Sequence, residues 1–382
     1  MSIDALLNAR VLVDQGFVDG MAVLIQDGKI FAIVPANDAR TRVANPRDLG
    51  GALLLPGFVD TQVNGGGGVL FNDAPEVDAI STIGQAHRRF GTTSFLPTLI
   101  SDDLDVLARA IAAVDAAIAA GVPGVAGIHI EGPFISEIRK GAHDAAHIRA
   151  LTPAHVALLS SLRLGRTLVT LAPEHTTVET IALLVSAGVV VAAGHSNASY
   201  ADIRAALAHG LSGFTHLFNA MSPLQSRAPG VVGAALHDQD SWCGIIVDGW
   251  HVDPIVLQIA LRAKRLDRFI LVTDAMPIVG SDSSEFQLQG RRISVVDGQC
   301  IDDQGTRSGS ALDMASAVRN AVQMLGVRLE DAVRMASTYP AKFLGLGHEI
   351  GHIKPGYRAN LVLADDTLQV LDTWIDGQPA LA

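Results

Sequence analysis

Two cysteines in 382 residues, Cys243 and Cys300, exclude a disulfide framework, and neither lies in the Cys-x-x-Cys pair of a thiolate metal site or thiol exchanger. Positive charge is also scarce. Lys and Arg number 28 against 39 Asp and Glu, a formal net charge of -11 with no basic run, so no nucleic-acid partner is expected. No apolar stretch approaches the roughly 18–20 uncharged residues of a membrane span. The opening MSIDALLNARVLVDQG lacks a basic segment followed by a long apolar one. A cytoplasmic protein with no membrane partner is the expectation.

What the chain does have is apolar mass. Hydrophobic residues make up 49% and charged residues 18%, enough to bury a large core and to exclude a disordered chain. The length exceeds the roughly 250 residues of a barrel domain and leaves material for something beside it. Residues 1–56 read as short alternating strands (VLVDQG, AVLIQDGKIFAIV, GALLLPG) broken by Gly, Asp and Asn turns, and residues 349–382 read the same way. Neither end suffices alone, so the two together are expected to form a small β-sandwich domain. Between them, residues 57–348 alternate eight apolar strand candidates (54–63, 93–100, 127–132, 168–174, 189–196, 213–219, 243–251 and 269–275) with amphipathic helices. The fold class that follows is α/β, a (β/α)8 TIM-like barrel plus the terminal sandwich. Thr152-Pro153 and Ser199 mark helix starts. Residues 219–242 and 276–310 read as long insertions, the second as a hairpin.

Barrel enzymes build their sites at the C-terminal ends of the strands, and several candidates here end on a polar group. The third ends at Glu131, the fifth at His195 and the sixth carries His216. The seventh leads to Asp248 and His251, and the eighth ends at Asp274. Glu131, His195 and His216 make a three-ligand metal set with a position left for water. Asp274 is placed to take a proton from that water and to return it to a leaving nitrogen. His129, two residues before Glu131 on the same face, is expected one layer lower in the barrel as support. His87 and the remaining histidines fall in helices or loops and read mostly as surface.

One stretch departs from the usual pattern of metal-dependent hydrolases. PGFVDTQVNGGGG (56–68) has Gln62 and Asn64 where such enzymes commonly carry His-x-His, and carboxamides hold transition metals poorly. One divalent metal is therefore expected rather than two, with Gln62 a possible contact to the metal's water. Two imidazoles and a carboxylate suit zinc first, and iron, cobalt or manganese also fit.

Taken in order, PGFVDTQVNGGGG, GIHIEGPF, KGAHD, GHSNASY, THLFNAM, APGVVGA, IIVDGWHVD, LVTDAM, GTRSGSAL and GHIKPGYRANLVL resemble the N-acetylglucosamine-6-phosphate deacetylases of the amidohydrolase superfamily across essentially the whole chain. The resemblance implies hydrolysis of the acetamide of N-acetyl-D-glucosamine 6-phosphate, with Glu131, His195 and His216 as metal ligands and Asp274 as the acid/base. His251 would polarise the acetamide carbonyl. Ala142 and His143 would meet the sugar, Asn219 and Ala220 would donate near the phosphate, and Arg307, Ser308 and Gly309 would sit on a lid. It further implies a homodimer in which Arg227 reaches the neighbouring active site. Arg307 stands where the family commonly carries Leu or Met. Two alternatives remain: the same chemistry on N-acetylgalactosamine 6-phosphate, and a catalytically silent barrel serving as scaffold.

Overall fold

The computed structural model describes residues 3–42 and 44–381; Met1, Ser2, Val43 and Ala382, which belong to the segments assigned to the sandwich, lie outside the described residues. Eight parallel strands occupy the middle of the chain: Phe58–Val63, Thr92–Ile100, Gly127–Glu131, Arg166–Leu171, Val190–Ala193, Gly213–Phe214, Trp242–Ile245 and Phe269–Leu271. Each is hydrogen-bonded to the next in chain order. Such strands are covered on both faces and so read as continuous apolar runs; every residue of TTSFLPTLI in the second is buried.

Closure from eighth strand to first is made differently. The N–H of Asp274 donates to Gln62 O at 3.0 Å and that of Asn64 to Ala275 O at 2.9 Å. Below them the Asp60 carboxylate accepts from Thr273 Oγ1 at 2.5 Å and from the N–H of Gln62 at 3.2 Å. At the seam the ladder is reduced to the parallel bridge of Val63 with Ala275, and a side-chain clasp reinforces it.

The crossover helices show their apolar faces at helical spacing. Val77–Arg88 buries Ala79, Ile80, Ile83, Ala86 and His87. Ser199 opens Tyr200–Ala208 with a reciprocal cap, its hydroxyl accepting from Asp202 N while the Asp202 carboxylate accepts from Ser199 N. Thr152-Pro153 starts the 3-10 turn Pro153–His155, which runs into the short helix Val156–Leu159.

Three expectations need correcting. Residues 219–242 are not simply an insertion, because they contain the sixth crossover helix, Gly230–His237; nearly all of it is buried, so it shows no polar face to read. The first strand candidate, 54–63, is two strands. Leu53–Pro56 belongs to the sandwich and Phe58–Val63 to the barrel. At the junction a Cβ on Gly57 would lie 2.1 Å from Thr93 Oγ1, so only glycine lets the chain pass. Third, His87 is fully buried rather than on the surface.

The terminal segments form two sheets. One contains Asp4–Leu7, Met21–Gln26, Lys29–Pro35 and Asn45–Asp48. The other contains Arg10–Val13, Gly16–Val18 and Leu53–Pro56 with the C-terminal Leu361–Ala364, Val370–Ile375 and Gln378–Pro379. Leu361–Ala364 pairs antiparallel with Leu53–Pro56. Leu6, Val23, Ile25, Leu54, Leu361 and Trp374 share one apolar core. The 276–310 segment is a hairpin and more: Glu285–Leu288, Arg291–Val296, Gln299–Asp302 and Arg307–Ser310 form a four-stranded antiparallel sheet. It is seated on the barrel mouth through Ile100, Met276, Leu288, Ile293 and Cys300.

Candidate active site

Strand register sets the level of the site. Ile100, Glu131 and Thr170 are aligned across the second, third and fourth strands. His195 and His216 lie two residues beyond the fifth and sixth strands, and Asp274 three beyond the eighth. All three adopt left-handed backbone, with φ of 49°, 34° and 52°. Such conformations cost about 1–3 kcal/mol each and persist where the surroundings enforce them. Here they end the strand and sit where the side chain enters the barrel mouth.

Glu131, His195 and His216 are 2%, 6% and 4% exposed. Glu131 Oε1 lies 3.1 Å from His195 Nε2 and 2.9 Å from His216 Nε2, and the two imidazole nitrogens are 3.0 Å apart. His195 Nδ1 faces the Arg139 carbonyl at 2.9 Å. A carbonyl only accepts, so Nδ1 carries the proton and a neutral ring turns the Nε2 lone pair inward. Burial disfavours charge on both Glu131 and His216. Hydrogen bonds with His195 and His216 outweigh it at Glu131, holding that carboxyl well below the usual range, and the bond to Glu131 raises His216. Two nitrogens and a carboxylate oxygen converging in a buried spot fit a divalent cation.

Beside them, Asp274 is partly buried among polar groups. Burial pushes its carboxyl up to about 6, the nearby Glu131 charge adds to the rise, and the histidines and the Asn64 hydrogen bond oppose it. Asp274 Oδ1 accepts from Asn64 Nδ2 at 2.7 Å and from Gln62 Nε2 at 3.1 Å. Gln62 Nε2 also donates to Glu131 Oε2 at 3.0 Å, so one carboxamide bridges the two carboxylates.

The other expected residues surround this centre. A cavity of about 210 Å³ is lined by Glu131, His195, His216, Asp274, Ala142, His143, Asn219, Ala220, His251, Arg307, Ser308 and Gly309. His143 Nδ1 accepts from the N–H of Ser101 at 3.2 Å, which leaves Nε2–H as a donor; its ring lies against His195 at 4.4 Å. Burial lowers the His143 pKa well below the usual value, so the ring is neutral. His251 Nδ1 is 2.6 Å from Asp248 Oδ2, while Asp248 Oδ1 accepts from the N–H groups of Trp250 and His251. His129 lies below the site, between Thr98 and Thr170, and burial drops its pKa to about 4. Arg227 is exposed and is not among the residues lining this cavity.

Sequence reasoning misses the apolar wall made by Ile100, Met276 and Leu288. It also misses Ser101 and the Asp60–Thr273 clasp. For Asp60 a signal existed: it precedes Gln62 by two and therefore shares its face of the strand.

The profile of the "Amidohydrolase family" matches residues 53–380. A Shewanella sp. (strain ANA-3) protein named N-acetylgalactosamine-6-phosphate deacetylase is 44% identical, over 97% of this chain and 94% of its own. One from Haemophilus influenzae named N-acetylglucosamine-6-phosphate deacetylase is 34% identical over 98% of each chain. Among solved structures, N-acetylglucosamine-6-phosphate deacetylase from Pasteurella multocida superposes with a TM-score of 0.95 at 37% identity, over 99% of both chains.

Proposed function

We propose that this chain, which belongs to the amidohydrolase family, hydrolyses the acetamide of N-acetyl-D-glucosamine 6-phosphate to D-glucosamine 6-phosphate and acetate. The observation that carries the reading is the convergence of Glu131, His195 and His216 beside a partly buried Asp274 in the cleft at the barrel mouth. These three residues would hold one divalent ion, zinc by preference, with iron, cobalt or manganese also compatible. Bound there, such an ion supplies Lewis acidity to the acetamide carbonyl and to water. The carboxamides Gln62 and Asn64 offer no comparable second site, and both are engaged with carboxylates.

The chain's own groups supply the proton traffic. The Asp274 carboxylate takes a proton from the attacking water and returns it to the amide nitrogen, so that the amine leaves. Asp248 fixes the His251 ring so that Nε2 is the nitrogen left for the substrate, where a proton on it would stabilise the developing oxyanion. His143 offers Nε2–H to a sugar hydroxyl. Ala142 borders the sugar, Asn219 and Ala220 border the phosphate, and Arg307, Ser308 and Gly309 form the lid. A homodimer would bring Arg227 to the neighbouring site. Supporting it, Leu224 near Arg227 and Ile255, Val256 and Ile259 on the helix Pro254–Ala263 are exposed apolar residues; light scattering reads the mass directly. The same reading divides the chain into a sandwich of 1–56 with 349–382 and a barrel of 57–348, in the cytoplasm.

The galacto epimer is a second reading, favoured by the 44% identity to the Shewanella protein. The silent-scaffold reading has less support, because Asp274 and all three metal-set residues are present. Acetate release from the two epimers and from unphosphorylated N-acetylglucosamine, on metal-quantified protein, tests all three. Turnover of the gluco substrate supports the proposal. Turnover of the galacto substrate alone moves it to the epimer. No turnover with metal bound favours the scaffold.

A further inference from the structure

The cleft has to take an anion, yet it is lined by two carboxylates, Glu131 and Asp274, in a chain of net charge -11. A phosphomonoester near neutral pH carries about -1.5 to -2 charge. Unless local donors answer it, its approach is opposed. Setting histidines aside, the lining contains a single cationic side chain, Arg307. Of the cations that flank the lining without belonging to it, Arg291 and Arg292 are paired with carboxylates, and Arg139 and Lys140 each donate to a neutral oxygen. Arg291 donates to the Ala142 carbonyl and pairs with Asp302 at 3.2 Å, Arg292 pairs with Glu285, and Lys140 donates to the His143 carbonyl at 3.1 Å.

Arg307 differs from these. It opens the last strand of the lid sheet, immediately before Ser308 and Gly309. Its Nε donates to Gln299 Oε1 at 3.2 Å on the paired strand, which orients the guanidinium. Among the described residues no carboxylate claims it, and its two terminal nitrogens have no partner. An oriented guanidinium with both outer nitrogens free is matched to a phosphate, which accepts two parallel N–H bonds. A sugar hydroxyl would use one donor and gain little from the charge. Next to it Ser308, fully buried, has a hydroxyl without a partner.

We infer that Arg307 is a specificity-determining residue that anchors the 6-phosphate of the amino sugar from within the same chain, so that the lid sheet closes on the substrate by binding its phosphate. The inference rests on the function proposed above. It adds a phosphate contact independent of any partner subunit.

The test compares wild type with R307M, which keeps the aliphatic stem, and R307K, which keeps the charge but not the fork. Acetate release is measured with the 6-phosphorylated and unphosphorylated sugars across ionic strength. Binding of inorganic phosphate is measured separately by calorimetry. Loss of a charge-assisted contact predicts that R307M raises KM for the phosphorylated sugar by ~10–100-fold with little change in kcat. The preference for the phosphorylated over the unphosphorylated sugar should collapse by the same factor, phosphate binding should weaken in parallel, and R307K should recover part of each. The salt dependence of KM should also flatten in R307M. An unchanged preference and unchanged phosphate affinity overturn the inference. So does an equal loss on both sugars, which marks a packing role in the lid. Failure of the wild type to release acetate from any of the sugars strikes the proposed function instead, and the phosphate calorimetry then still decides the role of Arg307.

Discussion

At the scale of single residues, the site is a set of polar groups held against the cost of burial. Asp274 is the clearest case. Its carboxyl is pushed up to about 6 by burial and by the Glu131 charge, and a base must be deprotonated to act. Below that region activity should therefore fall with acidity, giving kcat/KM an acid limb above the ordinary carboxylate range. Asn64 donates to the charged form, so N64A removes a bond that lowers the pKa and should move the limb to higher pH; an unmoved limb would assign it to another group. D274N should cut kcat by ~100–10,000-fold, the usual contribution of a positioned acid/base, while metal content stays at one per chain. The identities of Glu131, His195, His216 and Asp274 were legible because a polar residue ending an apolar strand is conspicuous. The left-handed backbone of His195, His216 and Asp274 was not, since it arises from the turns that follow. A histidine in an amphipathic helix reads as surface, but His87 is fully buried. It belongs to the stripe of Ile80 and Ile83, seven and four residues earlier, and it faces the Gly65 carbonyl at 2.8 Å.

At the scale of elements, the four-stranded sheet over the mouth is the feature that distinguishes this barrel. Its hairpin character was readable from RRISVVDGQCIDDQG, whose turn residues interrupt alternating strands. Its seat on the barrel was not readable, because Ile100 comes from the second strand while Met276 and Leu288 lie far along the chain, and the three have no common period. Gly309 shows how tight that seat is. Its φ is +64°, and a Cβ there would lie 2.5 Å from Met276 Cγ and 2.9 Å from Asp274 O. G309A should therefore lift the sheet from the mouth at a cost of about 1–3 kcal/mol, typical of overpacking. The expected result is a higher KM and faster amide exchange across residues 285–310, with metal binding retained. Normal exchange with a normal KM would show that the sheet tolerates the displacement. The sixth strand shows the opposite limit of legibility. GFTHLFN suggests seven residues, yet only Gly213–Phe214 pair, because His216, Phe218 and Ala220 turn left-handed to form the rim.

At the scale of the whole molecule, the seam between the first and eighth strands ties the fold to its site. The clasp that closes it is Asp60 with Thr273, directly beneath Gln62 and Asp274. Eight strands and a terminal sandwich could be counted from the sequence; how the barrel closes could not, because closure depends on a few backbone bonds and a side-chain clasp between Asp60 and Thr273, 213 residues apart. The clasp has a cost. Burial pushes the Asp60 carboxyl up to about 7, against hydrogen bonds from Thr273 and Gln62 that pull it down. In the unfolded chain the same group titrates near 3.8. Below that value both states hold the proton and Asp60 exacts no penalty. As pH rises toward 7 the unfolded chain releases its proton while the folded chain keeps it, so stability falls steadily across this window. Above 7 the full penalty of about 4 kcal/mol is present, at 1.36 kcal/mol per pKa unit. D60N cannot titrate and still offers an oxygen to Thr273. The difference in stability between D60N and wild type, followed by denaturant unfolding from pH 4 to 8, should therefore shift in favour of the variant as pH rises and level off above 7. A constant difference across that range would mean that Asp60 is ionised in the folded protein throughout and that the seam carries a buried charge.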